Sequence, residues 1–427
     1  MTGRRWLAAV VLSGCLALTG CPAPTDPSPE ESSTAPQSTA DALPALPTGA
    51  STGLPAYDGP PDDAPPSAGP SLTLRAAVDL TPATPHVFAR AQAAVGAPDG
   101  GAYVVLTPAD VDLPQRLVTV GGPDQGYAIT GAVPMPRVAD VWGMHVLADG
   151  DVVVVGDLAE VSGYGASIVD PVSGTARTVA VVPASDGTMS ADGRSALLGS
   201  RLYLFVTVET GAGQLERLAV ADLTSDRVLA VRDLAAEVST ASRFPISRQM
   251  GGLVARPDGG VTLAFDASPT DVPQSRIPTL LTFDARLEPV GEPVRATDLA
   301  EGGEIQAVTG SADGTVFLLV EVVDATWLLA IPDGGGAGPV LAQLTDRIYD
   351  YGLTVEPAQV WGVLPSPVGA QAVDLTTGEV RGPLDLGCGP NLDVQRVLPG
   401  GDGTGAVLMG ECDDPRDDTQ MLWLVGP

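Results

Sequence analysis

An Asp-Gly pair between two apolar runs recurs along the chain, and this repeat constrains the fold more than any other feature. The clearest copy is Pro98-Asp99-Gly100, which precedes the apolar run 102–106. Asp-Gly between apolar runs predicts a hairpin, because Gly accepts the positive φ that a tight turn requires. Further copies are Asp149-Gly150, Asp192-Gly193, Asp258-Gly259, Asp313-Gly314, Asp402-Gly403 and the degenerate Val355-Glu356-Pro357-Ala358. The sequence therefore predicts a serial array of hairpins.

A second group of turns alternates with the first. Its members follow apolar strands and begin at Gly122, Asp170, Asp222, Asp284, Pro332 and Asp374. Two turns in each period of about 45 to 65 residues predict four strands per repeat, which is the blade of a β-propeller. With seven copies of the first turn, the sequence predicts an all-β, seven-bladed β-propeller over 71–427.

The last repeat is one strand short at the C-terminal side. After 405–410 there is one further apolar strand, 421–425, whereas the strand-like segment 72–80 precedes the first repeat. We expect 72–80 to complete the last blade, so that an N-terminal strand closes the propeller and no sheet edge is exposed. A stacked sandwich, or a pair of smaller β domains, is the alternative architecture.

Within the first group, two of the turns carry the full Pro-Asp-Gly sequence, Pro98-Asp99-Gly100 and Pro257-Asp258-Gly259. In this the chain resembles bacterial propellers of the TolB or WD-repeat kind, whose blades often have this turn between inner strands. The resemblance covers 72–427 and implies the fold. The motif itself carries no activity.

The N-terminal 20 residues have the composition of a secretory signal peptide. A basic start at Arg4 and Arg5 precedes an apolar run that is too short to cross a membrane. The following Leu18-Thr19-Gly20-Cys21 resembles the lipobox of bacterial lipoproteins, which implies acylation of Cys21 after removal of 1–20. An ordinary cleaved signal, or acylation at Cys15, is the alternative.

Residues 21–70 are predicted to be a disordered tether. Prolines occupy 13 of the 49 positions in 22–70, among abundant Ser, Thr and acidic residues. Such a segment cannot bury enough apolar surface to offset the entropy of ordering it. Fully extended, it reaches roughly 150 Å. We therefore expect a lipid-anchored domain outside the bacterial cytoplasmic membrane, in the cell envelope.

The charge balance excludes several functions. The chain has 22 basic residues, all Arg, against 52 Asp and Glu, which gives a net charge of −30. Nucleic acid is therefore not expected as a partner, because phosphate binding requires a basic surface. The absence of Lys also excludes Schiff-base chemistry and a P-loop.

Two cysteines remain once Cys15 and Cys21 are assigned to the signal and the anchor. Cys388 and Cys412 are both expected on the face that carries the loops between blades. In an exported, oxidising setting this predicts a disulfide. Free thiols or a metal pair are the alternative, but the spacing is unlike a zinc site.

Sequence motifs for catalysis are missing. The chain contains no nucleophile elbow, His-Glu-x-x-His, Cys-x-x-Cys or dinucleotide-binding motif. It has two histidines, His86 and His145. His145 belongs to an apolar strand, where a hydrogen-bonded structural role is favoured over a catalytic one.

One acidic cluster is a candidate Ca²⁺ site. It consists of Asp413, Asp414, Asp417 and Asp418 around Pro415-Arg416. Ca²⁺ takes several oxygen ligands from flexible loops, but the order of an EF-hand is absent. A solvated loop is the favoured interpretation in so acidic a chain, and no cofactor is otherwise expected.

A ring of amides and aromatics is the candidate ligand site. Gln92, Gln306 and Gln395 each precede a turn Asp by seven residues, and Trp142 and Tyr349 fall at about the same register. Innermost strands line a propeller channel, so these side chains are expected near its mouth, beside Arg347 and Arg396. Polar side chains that only satisfy channel water are the alternative.

These features together favour a non-catalytic binding or scaffold module. We expect a monomer that is anchored to the membrane and uses its loop-rich face to bind an envelope protein, a peptide or a glycan. The alternative is a carboxylate-based hydrolase or lyase that uses the same face, with or without Ca²⁺. A purely structural ring is a third alternative.

Overall fold

A computed structural model describes most of the chain beyond residue 71. The described residues are 72–80, 83, 89–108, 114–184, 188–211, 213–235, 237, 250–268, 276–295, 303–311, 313–322, 325–332, 340–344, 349–354, 359–365, 368–374, 380–388, 392–401, 405–414 and 417–426. The predicted signal peptide, the tether and Cys21 therefore lie outside the described residues.

The described strands form seven antiparallel sheets of four strands, which we number as blades in chain order. The strands of blade 1 are β2 (Ala89–Gly96), β3 (Ala102–Pro108), β4 (Gln115–Val120) and β5 (Ile129–Met135). Those of blade 2 are β6 (Val138–Val146), β7 (Val152–Leu158), β8 (Gly163–Val169) and β9 (Ala176–Pro183). Those of blade 3 are β10 (Thr188–Leu198), β11 (Arg201–Thr210), β12 (Gly213–Asp222) and β13 (Arg227–Asp233).

The remaining blades repeat this up-and-down order. Blade 4 consists of β14 (Met250–Ala255), β15 (Val261–Ala267), β16 (Ile277–Phe283) and β17 (Val294–Arg295). Blade 5 consists of β18 (Glu304–Gly310), β19 (Val316–Val322), β20 (Ala325–Ile331) and β21 (Val340–Leu344). Blade 6 consists of β22 (Tyr349–Thr354), β23 (Gln359–Pro365), β24 (Val368–Asp374) and β25 (Val380–Leu384). Blade 7 consists of β26 (Leu392–Pro399), β27 (Ala406–Asp414), β28 (Asp417–Gly426) and β1 (Thr73–Asp79).

The first strand of each blade is the innermost one. These strands contact each other in the order β2, β6, β10, β14, β18, β22, β26, and β26 contacts β2 again. The sheets therefore form a closed ring around a central channel, which is the architecture of a β-propeller. The predicted all-β propeller fold is confirmed.

The ring is closed by strands from opposite ends of the described chain. β1 is the outermost strand of blade 7 and pairs antiparallel with β28, with Ala77 opposite Trp423 and Val78 opposite Leu422. The N–H of Leu80 continues the ladder by donating to the carbonyl of Gln420 at 2.9 Å. The prediction that 72–80 completes the last blade is confirmed.

The apolar core lies between neighbouring blades. Between blades 3 and 4, for example, Phe205 of β11 and Phe265 of β15 belong to one cluster and are each at most 1 % exposed. Similar clusters join blades 2 and 3, blades 7 and 1, and blades 4 and 5. Because a buried Phe contributes about 2 to 3 kcal/mol, each sheet depends on its neighbours for stability.

The turns follow the predicted chemistry in most blades. Gly100, Gly150 and Gly259 have φ of 84°, 96° and 83°, and Gly314 has φ of 89°. In the second group, both Val172 and Ser173 donate backbone N–H bonds to the side chain of Asp170. The side chain of the turn Asp thus satisfies backbone donors that the strands leave free.

The predicted turn at Asp192-Gly193 is wrong. Both residues lie within β10, where Asp192 pairs with Thr207 and Gly193 pairs with Val206. The chain reverses instead at Gly199, which has φ of 58°. The physical reason for a Gly at 193 is packing: a Cβ there would lie 2.2 Å from Cε3 of Trp142.

In the described part of the chain, no helix is both long and apolar enough to cross a membrane.

Candidate binding site in the central channel

Every innermost strand is interrupted by an irregularity in its pairing with the next strand. In six blades, one residue of the innermost strand has no partner on the neighbouring strand. It lies four positions before the last paired residue of the innermost strand. These residues are Gln92, Trp142, Gly251, Gln306, Asp350 and Gln395. A bulge of this kind redirects a side chain and is often found beside functional sites. The equivalence of Gln92, Gln306 and Gln395 that their spacing indicates is therefore a repeated bulge of the inner strands.

Neighbouring blades bond to the backbone beside two of these bulges. Ala91 donates its N–H to Oε1 of Gln420, which belongs to the preceding blade, at 3.0 Å. Ile305 donates its N–H to both carboxyl oxygens of Asp266, again in the preceding blade, at 3.2 and 3.0 Å. A bulge leaves a ladder donor free, and here a side chain from the preceding blade accepts from it.

The bulges surround a cavity of about 570 Å³, which we call the mouth cavity. It lies near the N-terminal ends of the inner strands, on the opposite side from the Asp-Gly turns. Its polar and aromatic lining comes from blades 1, 2, 3 and 7: Arg90, Gln92, Asp140, Trp142, Asp192, Gln395 and Arg396. Four of the predicted ligand-binding residues, Gln92, Trp142, Gln395 and Arg396, thus meet in one cavity.

A second cavity of about 550 Å³, the inner cavity, lies further along the same strands. Trp142 and Arg396 line both cavities. The wall of the inner cavity is mainly apolar and includes Val146, Leu197 and Leu398. Its polar side chains are those of Arg194, Arg396, His145 and Ser195. The channel therefore changes from a polar mouth to an apolar interior.

Glycines on the inner strands make room for the aromatic and polar groups of this channel. The Trp142 ring lies against Gly193 and packs on the Tyr164 ring, with centroids 5.5 Å apart. A Cβ at Gly143 would come within 2.4 Å of Ser195 Oγ. Gly143 and Gly193 therefore allow blades 2 and 3 to approach closely at the channel wall.

His145 and Ser195 form a hydrogen-bonded pair across this wall. His145 Nε2 and Ser195 Oγ are 2.9 Å apart, between β6 and β10. Burial lowers the pKa of His145 to about 4, because the charged imidazolium is poorly solvated there. The imidazole is thus neutral at pH 7. This agrees with the structural role favoured from the sequence.

One carboxylate of the mouth cavity, Asp192, is paired with an arginine of the inner cavity, Arg194. Arg194 Nη1 donates to Asp192 Oδ1 at 3.0 Å and to the carbonyl of Gly193 at 2.8 Å. Asp140, which also lines the mouth, contributes to raising the pKa of Asp157, although burial of Asp157 is the larger cause. Gln92 accepts a 3.4 Å bond from Nε2 of Gln115.

The other predicted ligand residues are not brought into the mouth cavity. Gln306 donates from Nε2 to Glu321 Oε2 at 3.2 Å and does not line the cavity within the described part of the chain. Tyr349 pairs with Val363, so that its successor, Asp350, occupies the bulge. Arg347 lies outside the described residues, and the structure describes only the backbone of Tyr349.

The acidic cluster lies at the tip of the β27–β28 hairpin. Asp413 pairs with Asp418 and Asp414 with Asp417, so the four backbones face each other where the two strands meet. Their side chains lie outside the described part of the structure. Among the residues that are described, no group of three or more His, Cys, Asp or Glu side chains could hold a metal ion.

The predicted disulfide is present. Cys388 and Cys412 are bonded, with Cα atoms 5.4 Å apart and a separation of 24 residues. Both side chains pack on the cluster between blades 6 and 7, which contains Trp423. The disulfide therefore joins the connection that enters blade 7 to the hairpin that carries the acidic cluster.

Several lining residues were missed by the sequence reasoning. Arg90 and Asp140 lie two residues before the bulges at Gln92 and Trp142, so the period of two along a strand could have indicated them. Asp192, Arg194 and Ser195 could not have been found, because β10 extends past the predicted turn and has a different register.

Comparison with known protein families finds no match, and no curated protein matches the chain. Similarity is found among solved structures. An oligogalacturonate lyase in complex with manganese has a TM-score of 0.52 and 11% identity, over 78% of this chain and 88% of that one. The Cps50 (Swd1) β-propeller domain of Myceliophteria thermophila has a TM-score of 0.50 and 10% identity, over 82% and 99%. The β-propeller domain of the trilobed protease from Pyrococcus furiosus has a TM-score of 0.48 and 10% identity, over 79% and 93%.

At these identities the similarity concerns the fold alone. The neighbours include an enzyme as well as a β-propeller domain, and neither kind assigns an activity to this chain. What the comparisons and the sheet topology together establish is that this chain has the β-propeller fold.

Proposed function

We propose that the protein is a lipid-anchored binding module of the bacterial envelope, and that its ligand enters the propeller at the mouth cavity. The observation that carries the proposal is the convergence of Gln92, Trp142, Gln395 and Arg396 from three blades on one cavity of about 570 Å³. Ligand sites are concave and use a few placed polar groups beside an aromatic surface.

The mouth suits a polar, extended ligand such as a peptide or a glycan strand. Amide side chains both donate and accept hydrogen bonds, and Arg supplies donors in a planar fork. Trp142 adds an aromatic surface whose position is fixed by Gly193 and Tyr164. A rigid ring that presents such groups requires little reorganisation on binding.

The membrane anchor is supported by the sequence of the N-terminal segment. Leu18-Thr19-Gly20-Cys21 follows a short apolar run, and the proline-rich segment 21–70 then provides distance from the lipid surface. Metabolic labelling with a radioactive fatty acid tests the anchor. We expect label on the full chain and loss of label in Cys21→Ala, with Cys15→Ala as the matched control that keeps it.

A photocrosslinking experiment tests the binding site. A photoreactive phenylalanine at Gln92, in the mouth, is compared with one at Val172, which is 89% exposed on a turn at the other end of the strands. We expect adducts with an envelope peptide or glycan from position 92 alone, reduced by Gln395→Ala and Arg396→Ala. Equal adduct yields from both positions would contradict the proposal.

The alternative of a carboxylate-based hydrolase or lyase has two mouth carboxylates in its favour, Asp140 and Asp192. Asp192 is already paired with Arg194. Turnover of esters, lactones or acidic glycans by the purified protein, abolished in Asp140→Asn and Asp192→Asn, would replace the binding proposal with this one. The turnover assay should be repeated with added Ca²⁺. Asp413→Asn and Asp417→Asn then test whether the acidic cluster is the Ca²⁺ site.

A further inference from the structure

The inner cavity has a composition unlike the rest of the molecule. The protein carries 52 acidic residues and 22 basic ones, yet the described residues that line this cavity include Arg194 and Arg396 and no Asp or Glu. The charged side chains in the described lining of the inner cavity are thus all basic, although Arg194 is paired with Asp192 of the mouth cavity. A cavity with low-dielectric walls and one sign of charge favours ions of the opposite sign.

The wall between these arginines and the Asp-Gly turns is apolar. It is formed by Val95, Met144, Val146, Leu197 and Leu398, with backbone at Gly251 and Gly252. A cavity of about 550 Å³ lies within the range that small-molecule sites occupy, roughly 300 to 1,000 Å³. Apolar ligand surface that binds here is removed from water, and this burial favours binding by about 25 cal/mol per Å².

The two polar groups inside this wall satisfy each other. His145 is neutral at pH 7 and is hydrogen-bonded to Ser195. An apolar group placed against them therefore meets no charge. A charged group of the ligand would instead bind Arg194 and Arg396, at the end of the inner cavity next to the mouth.

Arg194 retains donors for a ligand. Its bonds to Asp192 and to the carbonyl of Gly193 both use Nη1. Within the described part of the chain, no bond to its Nη2 or Nε is seen. A guanidinium whose fork remains in part available binds carboxylates through two parallel hydrogen bonds.

We propose that the inner cavity is a binding site for a small amphipathic carboxylate, with the aliphatic part against Val146, Leu197 and Leu398 and the carboxylate at Arg194 and Arg396. The site adjoins the mouth cavity and shares Trp142 and Arg396 with it, but the proposal does not depend on the identity of the mouth ligand. It would hold a free medium-chain carboxylate or the apolar, anionic end of a larger ligand.

The test is calorimetric titration of the full chain with decanoate, with decanol and acetate as partial ligands. Decanoate combines both parts, so we expect it to bind at least about tenfold more tightly than either. Val146→Trp fills the cavity and should abolish binding. Arg194→Gln with Arg396→Gln should weaken decanoate by about tenfold or more and leave decanol unchanged.

Matched controls separate this site from general effects. Arg177→Gln removes an arginine that is paired with Asp226 on the outside of the ring and should leave decanoate affinity within about twofold. Gln92→Ala changes a residue that lines only the mouth cavity, and it should also leave decanoate affinity within about twofold. Failure of the mouth proposal can therefore be distinguished from failure of this one. Absence of decanoate binding, equal affinity for decanol, or binding retained in a folded Val146→Trp variant would overturn the inference.

Discussion

Gln115 holds Val138 by both of its backbone polar groups. The side-chain oxygen accepts from the Val138 N–H at 2.7 Å, and Nε2 donates to the Val138 carbonyl at 2.7 Å. Gln115 belongs to β4 of blade 1 and Val138 begins β6 of blade 2, and both residues are fully buried. The amide thus replaces a strand partner and fixes where the second blade begins.

Replacing Gln115 by Leu should destabilise the fold by about 2 to 4 kcal/mol, because a buried donor and a buried acceptor on Val138 would lose their partner. Urea unfolding followed by tryptophan fluorescence measures this. Gln125→Leu is the control, since Gln125 is exposed on the turn of the same blade. If Gln115→Leu lowers the free energy of unfolding no more than the control does, the hydrogen bonds between Gln115 and Val138 contribute little to stability.

Closing the ring with β1 should be required for solubility. A chain that begins at residue 82 lacks β1 and leaves β28 as an exposed edge, whereas a chain that begins at residue 71 keeps the pairing of Ala77 with Trp423. We expect the longer chain to remain monomeric and the shorter one to aggregate. Size-exclusion chromatography compares them, and a monomeric, equally stable short chain would contradict the role of β1.

The architecture could be predicted because it repeats. A single turn such as Pro98-Asp99-Gly100 is weak evidence for a fold. Its recurrence, however, indicated the four-strand period and the location of the missing strand. The exception at Asp192-Gly193 has a physical cause, since a Gly also serves where a ring such as Trp142 must lie against the backbone. Local sequence does not distinguish these two uses of Gly.

The site was predicted only in part. The spacing of Gln92 and Gln395 from their turns identified equivalent positions, because the bulge occurs at a constant distance from each turn. Arg194 and Ser195 depend on the register of β10, which follows from tertiary pairing and not from a local motif. The charge distribution of the channel is likewise a property of the assembled ring.

Removing the disulfide should lower stability without changing the fold. In the chain-entropy model, closure of a loop with this separation contributes on the order of 3 kcal/mol. Cys388→Ala with Cys412→Ala should therefore lower the urea midpoint, and reduction of the native protein should lower it to the same level. A midpoint unchanged by both treatments would mean that packing on Trp423 alone holds this connection.

His145 should make the protein sensitive to mild acid. Its pKa is lowered from 6.5 to about 4 by burial, so below about pH 6.5 the unfolded chain binds a proton that the folded chain does not. Stability is therefore lost as pH falls from about 6.5 to about 4, by up to about 3 kcal/mol. Thermal melts of His145→Gln should show a smaller loss over this range than the native protein. An equal loss in both would assign the acid sensitivity to other groups.

Asp266 should have the opposite pH dependence. Burial raises its pKa from 3.8 to about 7, with the Ile305 N–H opposing the shift and Glu304 adding to it. A protonated Asp266 is favoured by folding, so its contribution is complete below about pH 4 and is lost as pH rises from about 4 to about 7. Asp266→Asn keeps an acceptor for Ile305 and carries no charge. We expect it to raise the melting temperature at pH 8 and to change little at pH 4.

The control for this prediction is Asp170→Asn. The pKa of Asp170 is lowered, first by the hydroxyl of Ser173 and then by the N–H groups of Val172 and Ser173. Its contribution is present above its ordinary pKa and is lost as pH falls through its lowered pKa, so the substitution should destabilise more at pH 8 than at pH 3. Melting curves at both ends of this range therefore separate the two carboxyls by sign. A stabilisation by Asp266→Asn that is equal at pH 4 and pH 8 would show that the ionised carboxylate is not what limits stability there.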